Sequence, residues 1–444
     1  METKEICQQL IRNKCVNDGS LDSGNEIVSA DFLKSYLEHS CDQVQVFESL
    51  PTRGSVVARI SGSNPKAPKL VLCGHTDVVP VHEAMWKNDP FGGEEIDGYI
   101  WGRGAVDMLN LTSSMAVAFK KLCNEGFQPQ GDVIFLGVAD EEAGGKYGAS
   151  WLLENHTEYV DGDYCLTEAG GFHDEHRDPN KILRFLSSGE KGPNWFKVKV
   201  KGQPGHASQN YGVDNALVKA AKLVSHLADY EFPIEISENW ENRVRSMKLT
   251  QPYEADLLDK TKIDEVLTKL PKTFAPLAHA CTHTTVTPTM IEGGIKNNVI
   301  PDEVTFNVDM RILPSQIADE SLGILEKAII SALGSLENIE IEQIQKNDSS
   351  NSSTQTPLFD VICDVTKKIS PRSEVVPSMF TGGTDARFYR FNGNIGYGYG
   401  LFSEKIGYEN YRSMFHGHNE RIDLESLELS TQMYYEVVKQ FMSV

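Results

Sequence analysis

Long apolar runs are missing from this chain. No stretch of about 18 apolar residues occurs, so no segment is built to cross a bilayer as a helix. Positive charge is scarce: 42 Lys and Arg stand against 63 Asp and Glu, a formal net charge of −21 over 444 residues. Proteins that grip a nucleic-acid backbone carry a basic face, so that class of partner is excluded. Cysteine is sparse, with 8 residues, no CxxC pair and no dense framework. Cys73, Cys123 and Cys165 fall inside apolar runs and read as buried thiols. With a mixed, polar stretch at Met1 to Cys15 in place of an apolar leader, this predicts a reduced cytoplasmic compartment. No internal repeat occurs, and the Ser/Asn/Thr-rich segment Asn347 to Thr356 predicts a surface loop. What remains is ordinary globular composition, 40% apolar and 24% charged. The length suits about two or three domains with substantial cores.

Lys69 to Cys73, Asp132 to Ala139 and Asp163 to Leu166 are short continuous apolar runs, as strands buried on both faces should be. Between them, Met108 to Gly126 carries apolar residues at helical spacing, and Gly148 to Asn155 also reads as helix. This β-α-β-α-β order predicts an α/β domain with a largely parallel sheet. The character then changes. Phe196, Val198 and Val200 alternate with lysines, and Val304 to Ile312 alternates in the same way, so each predicts a strand with one polar face. Asp214 to Ala228 and Glu320 to Leu336 read as helices. The expectation is a discontinuous α/β domain, residues 1–189 and 312–444, interrupted by an inserted α+β domain at 190–311. Glu190 and Lys191, at the junction, read as solvated charges.

Acids and histidine gather at the ends of the apolar runs. The first ends in Gly74-His75-Thr76-Asp77, the second in Asp140-Glu141-Glu142, the third in Thr167-Glu168. A glycine-rich turn, Gly102 to Asp107, opens the first helix, and His416 to Glu420 adds a late candidate. Ligands of open α/β sheets bind beyond the carboxyl ends of the strands, so these side chains are expected at one edge. Carboxylates crowded there repel each other unless a cation sits among them. Imidazole plus carboxylate without thiolate suits zinc, manganese or cobalt. A carboxylate bridging two ions would make a two-metal hydrolytic site.

The motifs GHTDVVP (74–80), DGYIWGRGAVDM (97–108), ADEEAGG (139–145), TEAGG (167–171), GQPGHAS (202–208), NNVIP (297–301), DMR (309–311), GGTDAR (382–387) and HGHNE (416–420) together resemble the M20 metallopeptidase family. That group holds aminoacylases, acetylornithine deacetylases, desuccinylases, carboxypeptidases and dipeptidases. The resemblance implies two divalent ions, zinc first with cobalt or manganese possible. His75, Asp107, Glu142, Glu168 and His416 are the implied ligands, with Asp107 as the bridge and His418 outside the set. It implies Asp77 as the partner of His75 and Glu141 as the general base toward water. It makes the inserted domain a lid and dimerisation domain, so a homodimer is expected, with His206 supplying an oxyanion donor from the partner subunit. Asn298, Arg311, Gly383 and Thr384 are implied to hold a substrate carboxylate. Arg311 could instead pair with Asp309.

Two departures stand out. Asp107 is followed by Met108-Leu109-Asn110 where the family has Met-Lys-Gly. The loop from Leu401 to Phe415 is long and rich in Phe402, Tyr408, Tyr411 and Phe415, nearer the carboxypeptidase S-like branch, and is expected to line an apolar pocket. Glu at 168 resembles deacylases and carboxypeptidases, whereas Asp there resembles dipeptidases. The expected reaction is amide hydrolysis releasing an amino acid from an N-acyl amino acid or peptide, with a dipeptidase as the alternative. A non-catalytic scaffold would lack the base or a ligand, and neither is lacking.

Overall fold

Leu70 to His75 is apolar at successive positions because both faces of its strand are covered. The computed structural model describes residues 2–41, 43–173, 180–272 and 274–443 and divides into two units. The first comprises Met1–Ser188, Ser352–Ser378 and Thr384–Val444. At its centre Leu70–His75 lies between Val133–Val138 and Tyr164–Thr167, both parallel to it, and Ile395–Gly398 extends the parallel set beside Tyr164–Thr167. Gly54–Ile60 and Gln43–Glu48 add antiparallel strands on the Val133–Val138 side.

Alternation along these strands feeds two cores. Leu70, Leu72 and Phe135 pack with Leu10, Leu33, Phe119 and Val438 from helices on one face. Val71, Cys73, Ile134 and Leu136 pack with Leu152 and Tyr389 on the other. The α/β reading with a parallel centre is therefore what is seen. Helix Leu109–Asn124 buries Leu111, Met115, Ala118, Phe119 and Leu122, as its spacing predicts.

Cysteine departs from expectation. Cys123, at the end of that helix, forms a disulfide with Cys41, their Cα atoms 5.4 Å apart. It is not a free thiol, because the fold closes 82 residues of sequence onto it. Cys73 and Cys165 are buried and free.

The second unit comprises Gly189–Asn351 with Met379–Gly383. Four antiparallel strands run in the order Thr285–Gly293, Glu303–Ile312, Gly192–Lys201, Ile339–Gln345. Phe196, Val198, Val200, Val304, Phe306 and Val308 meet Leu223 of helix Ala216–Asp229 and Leu325 of helix Ala318–Leu333 in one core. This unit reaches Asn351 rather than 311, because the helix at 318–333 and the strand at 339–345 complete that core. Between helix Ala216–Asp229 and strand Thr285–Gly293 the described residues form the shorter helices Glu238–Met247, Tyr253–Leu257, Ile263–Leu267 and Ala275–Thr282. Buried Trp240 ties the first to the second by donating from Nε1 to the Leu257 carbonyl at 2.9 Å.

Glu190 and Lys191 are not solvated: they are 2% and 1% exposed. Lys191 Nζ donates to the Ala280 and His283 carbonyls and to Thr285 Oγ1, at 3.0, 2.7 and 3.1 Å. Burial pushes its pKa down to about 7. The expected loop at 347–356 contains a short strand, Ser350–Asn351, paired with Gly189 and Glu190.

Candidate metal centre

Three adjacent parallel strands deliver their last residues to one edge of the first unit. His75 closes Leu70–His75, Glu141 and Glu142 follow Val133–Val138, and Glu168 follows Tyr164–Thr167. Asp107 stands just before helix Leu109–Asn124, and His416 just after helix Tyr408–Met414. The strand after Val138 turns sharply through Asp140, whose φ of +67° lies in the left-handed region. That turn aims the short helical segment Glu141–Ala143 back across the edge.

Asp107 occupies the middle. Its Oδ1 lies 3.4 Å from His75 Nε2, and its Oδ2 lies 3.3 Å from His416 Nε2. Glu168 Oε1 is 3.7 Å from His75 Nε2, and Glu142 Oε2 is 3.1 Å from His416 Nε2. One carboxylate thus faces an imidazole on each side, each imidazole having a second carboxylate. Two groups of potential ligand atoms lie within 4.8 Å of one another: His75 with Asp107 and Glu142, and His75 with Glu141 and Glu168.

Charge in this cluster is unbalanced. Burial raises Glu141 and Glu168 well above the carboxylate range, with Asp107 adding to the rise at Glu168. Burial and the Asp107 charge push Glu142 up to about 7. Burial opposes charge on His75, yet Asp107, Asp77, Glu168 and Glu141 raise its pKa well above the usual value. His416, at the exposed rim, rises to about 10 through its hydrogen bonds with Asp107 and Glu142. So many buried acids need positive charge between them.

The donor set fits divalent cations. His75 Nδ1 stands 3.0 Å from the Asp77 carbonyl oxygen, which can only accept, so Nδ1 carries the proton. That leaves Nε2 as the ring atom that would give up its proton to a cation, and among the described residues it is buried with no hydrogen-bond partner. The Asp77 carboxylate, 3.5 Å from Nδ1, accepts from the backbone N–H of Glu141 and Glu142 at 3.2 and 3.1 Å. Asp77 therefore orients the imidazole and the acidic turn together.

Two residues outside the implied ligand set support the cluster. Glu420, fully buried, accepts from Arg103 Nη1 and from the backbone N–H of Gly104, Val106 and Asp107. It shapes the glycine-rich turn that carries Asp107. Arg387, 5% exposed, donates to the Thr384 and Gly144 carbonyls, and its Nη1 lies 3.8 Å from Glu141 Oε1. Glu420 closes the motif HGHNE (416–420) and Arg387 closes GGTDAR (382–387), so membership of those motifs is the sequence signal for both.

The other expected residues divide between the two units. His206 and Asn298 come together in the second unit, where Gly205–His206 pairs with Val299–Ile300 and the Ala207 N–H donates to the Asn298 carbonyl. His206 is exposed, its Nδ1 2.7 Å from Ser208 Oγ. Arg311 pairs with Asp309 through two bonds of 2.7 and 2.9 Å. Gly383 belongs to the second unit. Thr384 is 1% exposed, and its Oγ1 accepts from the Ala386 N–H.

The aromatic loop is a packed cluster rather than an open lining. Phe402 stacks on Phe172 with centroids 4.5 Å apart, and Tyr411 approaches the same ring at 4.7 Å, both without solvent exposure. Their hydrophobic faces are satisfied inside the core. Tyr408 and Phe415 are half-buried at its margin.

Parallel strands that end in an edge of imidazole and carboxylate make the first unit an α/β domain with a candidate metal centre, and the family match makes it a hydrolase. The chain belongs to Peptidase family M20/M25/M40, whose family model matches residues 71–440. It is 27% identical over 393 residues to the N-fatty-acyl-amino acid synthase/hydrolase PM20D1 of Xenopus tropicalis, covering 86% of this chain and 74% of that protein. It is also 27% identical over 407 residues to aminoacylase-1 of Sus scrofa, covering 88% and 85%. The M20 family metallo-carboxypeptidase Sso-CP2 from Sulfolobus solfataricus shares the fold, with a TM-score of 0.77 over 99% of each chain at 20% identity. No helix among the described residues is long and apolar enough to cross a membrane.

Proposed function

We propose that this M20 hydrolase cleaves the amide of N-acyl amino acids. The observation that carries the reading is the placement of Asp107 between His75 and His416, each with a second carboxylate, Glu168 and Glu142. Two ions, zinc by the donor set, would be held by His75, Asp107 and Glu168, and by Asp107, Glu142 and His416. When bound, such ions supply Lewis-acid stabilisation of oxyanion charge and acidify water. Glu141 is the general base: its buried carboxylate takes a proton from water and passes it to the leaving amine. Asp77 holds His75 in its Nδ1–H form. Asn298, Arg311, Gly383 and Thr384 are assigned to the substrate carboxylate; Arg311 already grips Asp309 in the two-point geometry a carboxylate would take.

A homodimer belongs to the same proposal, with His206 acting on the carbonyl oxygen from a partner subunit. Strand Thr285–Gly293 pairs on one side only among the described residues, and Met290, Ile291 and nearby Ile295 are exposed. An unpaired apolar edge of this kind suits a second copy. Cytoplasmic residence is supported by six unpaired cysteines, and the Cys41–Cys123 bond is the feature against it.

The acyl preference follows the relatives, named aminoacylase-1 and N-fatty-acyl-amino acid synthase/hydrolase. The zinc-loaded protein is given N-acetyl-methionine, N-lauroyl-methionine and Gly-Met. Preference for either acyl compound supports the proposal, and their ratio sets the chain length. Preference for Gly-Met overturns it in favour of a dipeptidase.

A further inference from the structure

The Asp77 carboxylate has a third donor, and it comes from the N-terminal segment, upstream of the residues the family match covers. Asn17, 2% exposed, donates from Nδ2 to Asp77 Oδ2 at 2.9 Å and leans toward Asp140 Oδ1 at 3.4 Å. Its Oδ1 accepts from Arg53 Nη2 at 3.2 Å and from the Gly19 N–H at 3.0 Å. This arrangement settles which way the amide points. Its oxygen must face the guanidinium, so its NH2 must face Asp77.

Arg53 is itself fixed. It is 2% exposed, and its Nη1 bonds Glu26 Oε1 at 2.6 Å, while its Nη2 also donates to the Ser20 carbonyl at 2.9 Å. Glu26, fully buried, uses the same Oε1 to accept from the Asp140 N–H at 3.2 Å. Gly24 packs so closely here that a Cβ would lie 2.3 Å from Arg53 Nη1. Arg53 and Glu26 thus lock Asn17 on one side and the left-handed Asp140 on the other. Asp140 opens the turn that bears Glu141 and Glu142.

We propose that Asn17, oriented by the Arg53–Glu26 pair, is a positioning residue for the metal centre: it holds the Asp77 carboxylate, and through it both the His75 imidazole and the acidic turn. This rests on the reading of His75 and its neighbours as metal ligands. Asn is the suited residue because it accepts from Arg53 and donates to Asp77 at once. Asp keeps the shape and the first bond but sets an oxygen against Asp77.

The test measures zinc affinity of the full-length protein by competition with a chelator, beside apo-protein thermal stability and the kcat and KM of the zinc-loaded enzyme. Asn17→Asp is expected to weaken zinc binding by about 10-fold or more, the usual effect of losing a group that orients a metal ligand. Asn17→Ala is expected to do so less, and Arg53→Lys, which keeps charge but loses the fork, least. A purely structural Asn17 would shift the melting temperature and leave the zinc affinity of the folded protein alone. Zinc affinity within twofold of wild type in both Asn17 variants overturns the proposal, whichever way stability moves. Asn17→Ala carries the test if Asn17→Asp does not fold. His75→Ala separates the two layers. If it too binds zinc normally, the metal-centre reading falls and this inference with it; if it loses zinc while the Asn17 variants do not, only this inference falls.

Discussion

Replacing Glu420 by Gln tests how the glycine-rich turn is held. Each Glu420 oxygen accepts two hydrogen bonds. Oε2 takes Arg103 Nη1 at 2.8 Å and the Gly104 N–H at 3.0 Å; Oε1 takes the Val106 and Asp107 N–H groups at 2.6 and 3.0 Å. A glutamine amide has only one oxygen. Whichever way it is placed, two donors meet an NH2 group instead of an acceptor. Arg103, 2% exposed, also loses its carboxylate, keeping the Gly417 carbonyl at 2.9 Å. Hydrogen bonds to charged groups contribute about 1.5–3 kcal/mol each, and a buried ion pair broken on one side costs about 3–5 kcal/mol. These costs overlap, since one of the lost bonds belongs to the ion pair, so the net loss is about 3 kcal/mol. Thermal unfolding of the metal-free protein measures it. Chelator competition reads the second consequence, because the Asp107 N–H is one of the four donors. Zinc affinity should fall about 10-fold as the turn loosens. A variant within about 1 kcal/mol of wild type and with unchanged zinc affinity would show that the turn holds Asp107 without Glu420.

Arg387→Met should lower kcat by about 10- to 100-fold with zinc affinity unchanged, because it frees the Gly144 carbonyl and removes the cation facing Glu141; an unchanged kcat rejects that role. Lys191 gives a pH signature. Burial moves its folded pKa from 10.5 down to about 7, so between these values the unfolded chain holds a proton that the folded one does not. Stability should therefore rise with pH across that window, by up to about 1.4 kcal/mol per pH unit from this group. Lys191→Met should flatten the rise, and equal slopes of melting temperature against pH from 7 to 9.5 in both proteins exclude it. Opening the Cys41–Cys123 bond, which spans 82 residues, should destabilise the first unit by about 4 kcal/mol on chain entropy alone. A melting temperature indifferent to reductant, or non-reducing peptide maps without the cross-link, refutes this.

What was legible in the sequence, and what was not, divides on whether a residue's role is local. Leu70–His75, Val133–Val138 and Tyr164–Thr167 could be read because a strand buried on both faces must be apolar throughout. An acid or histidine directly after such a run then marks the edge where ligands bind. His75, Asp107, Glu142, Glu168 and His416 follow from that rule and from motif order, and the fold brings them together. The alternation of Phe196 to Val200 and of Val304 to Ile312 likewise depends on neighbours two residues away. Lys191 obeys no such rule. Its acceptors lie about 90 residues on, at the end of helix Ala275–Thr282 and the start of strand Thr285–Gly293, after short helices that bury Trp240, Leu257 and Ile263 with no sustained period. Cys41 and Cys123 meet only because the fold closes on them, and scattered spacing says nothing against it. Arg53, Asn17 and Glu420 fail for the same reason. A buried charge is tolerated only when its partners are supplied in space, and those partners stand 27, 60 and 317 residues away along the chain. Phe402 and Tyr411 are the converse case. Aromatic content marks apolar surface, but whether that surface faces a pocket or a core depends on Phe172, more than 200 residues upstream, filling the space between them. The residues that would carry the chemistry were therefore visible, while the residues that hold them in place were not. The first must be particular side chains at strand ends; the second need only be complementary to something distant.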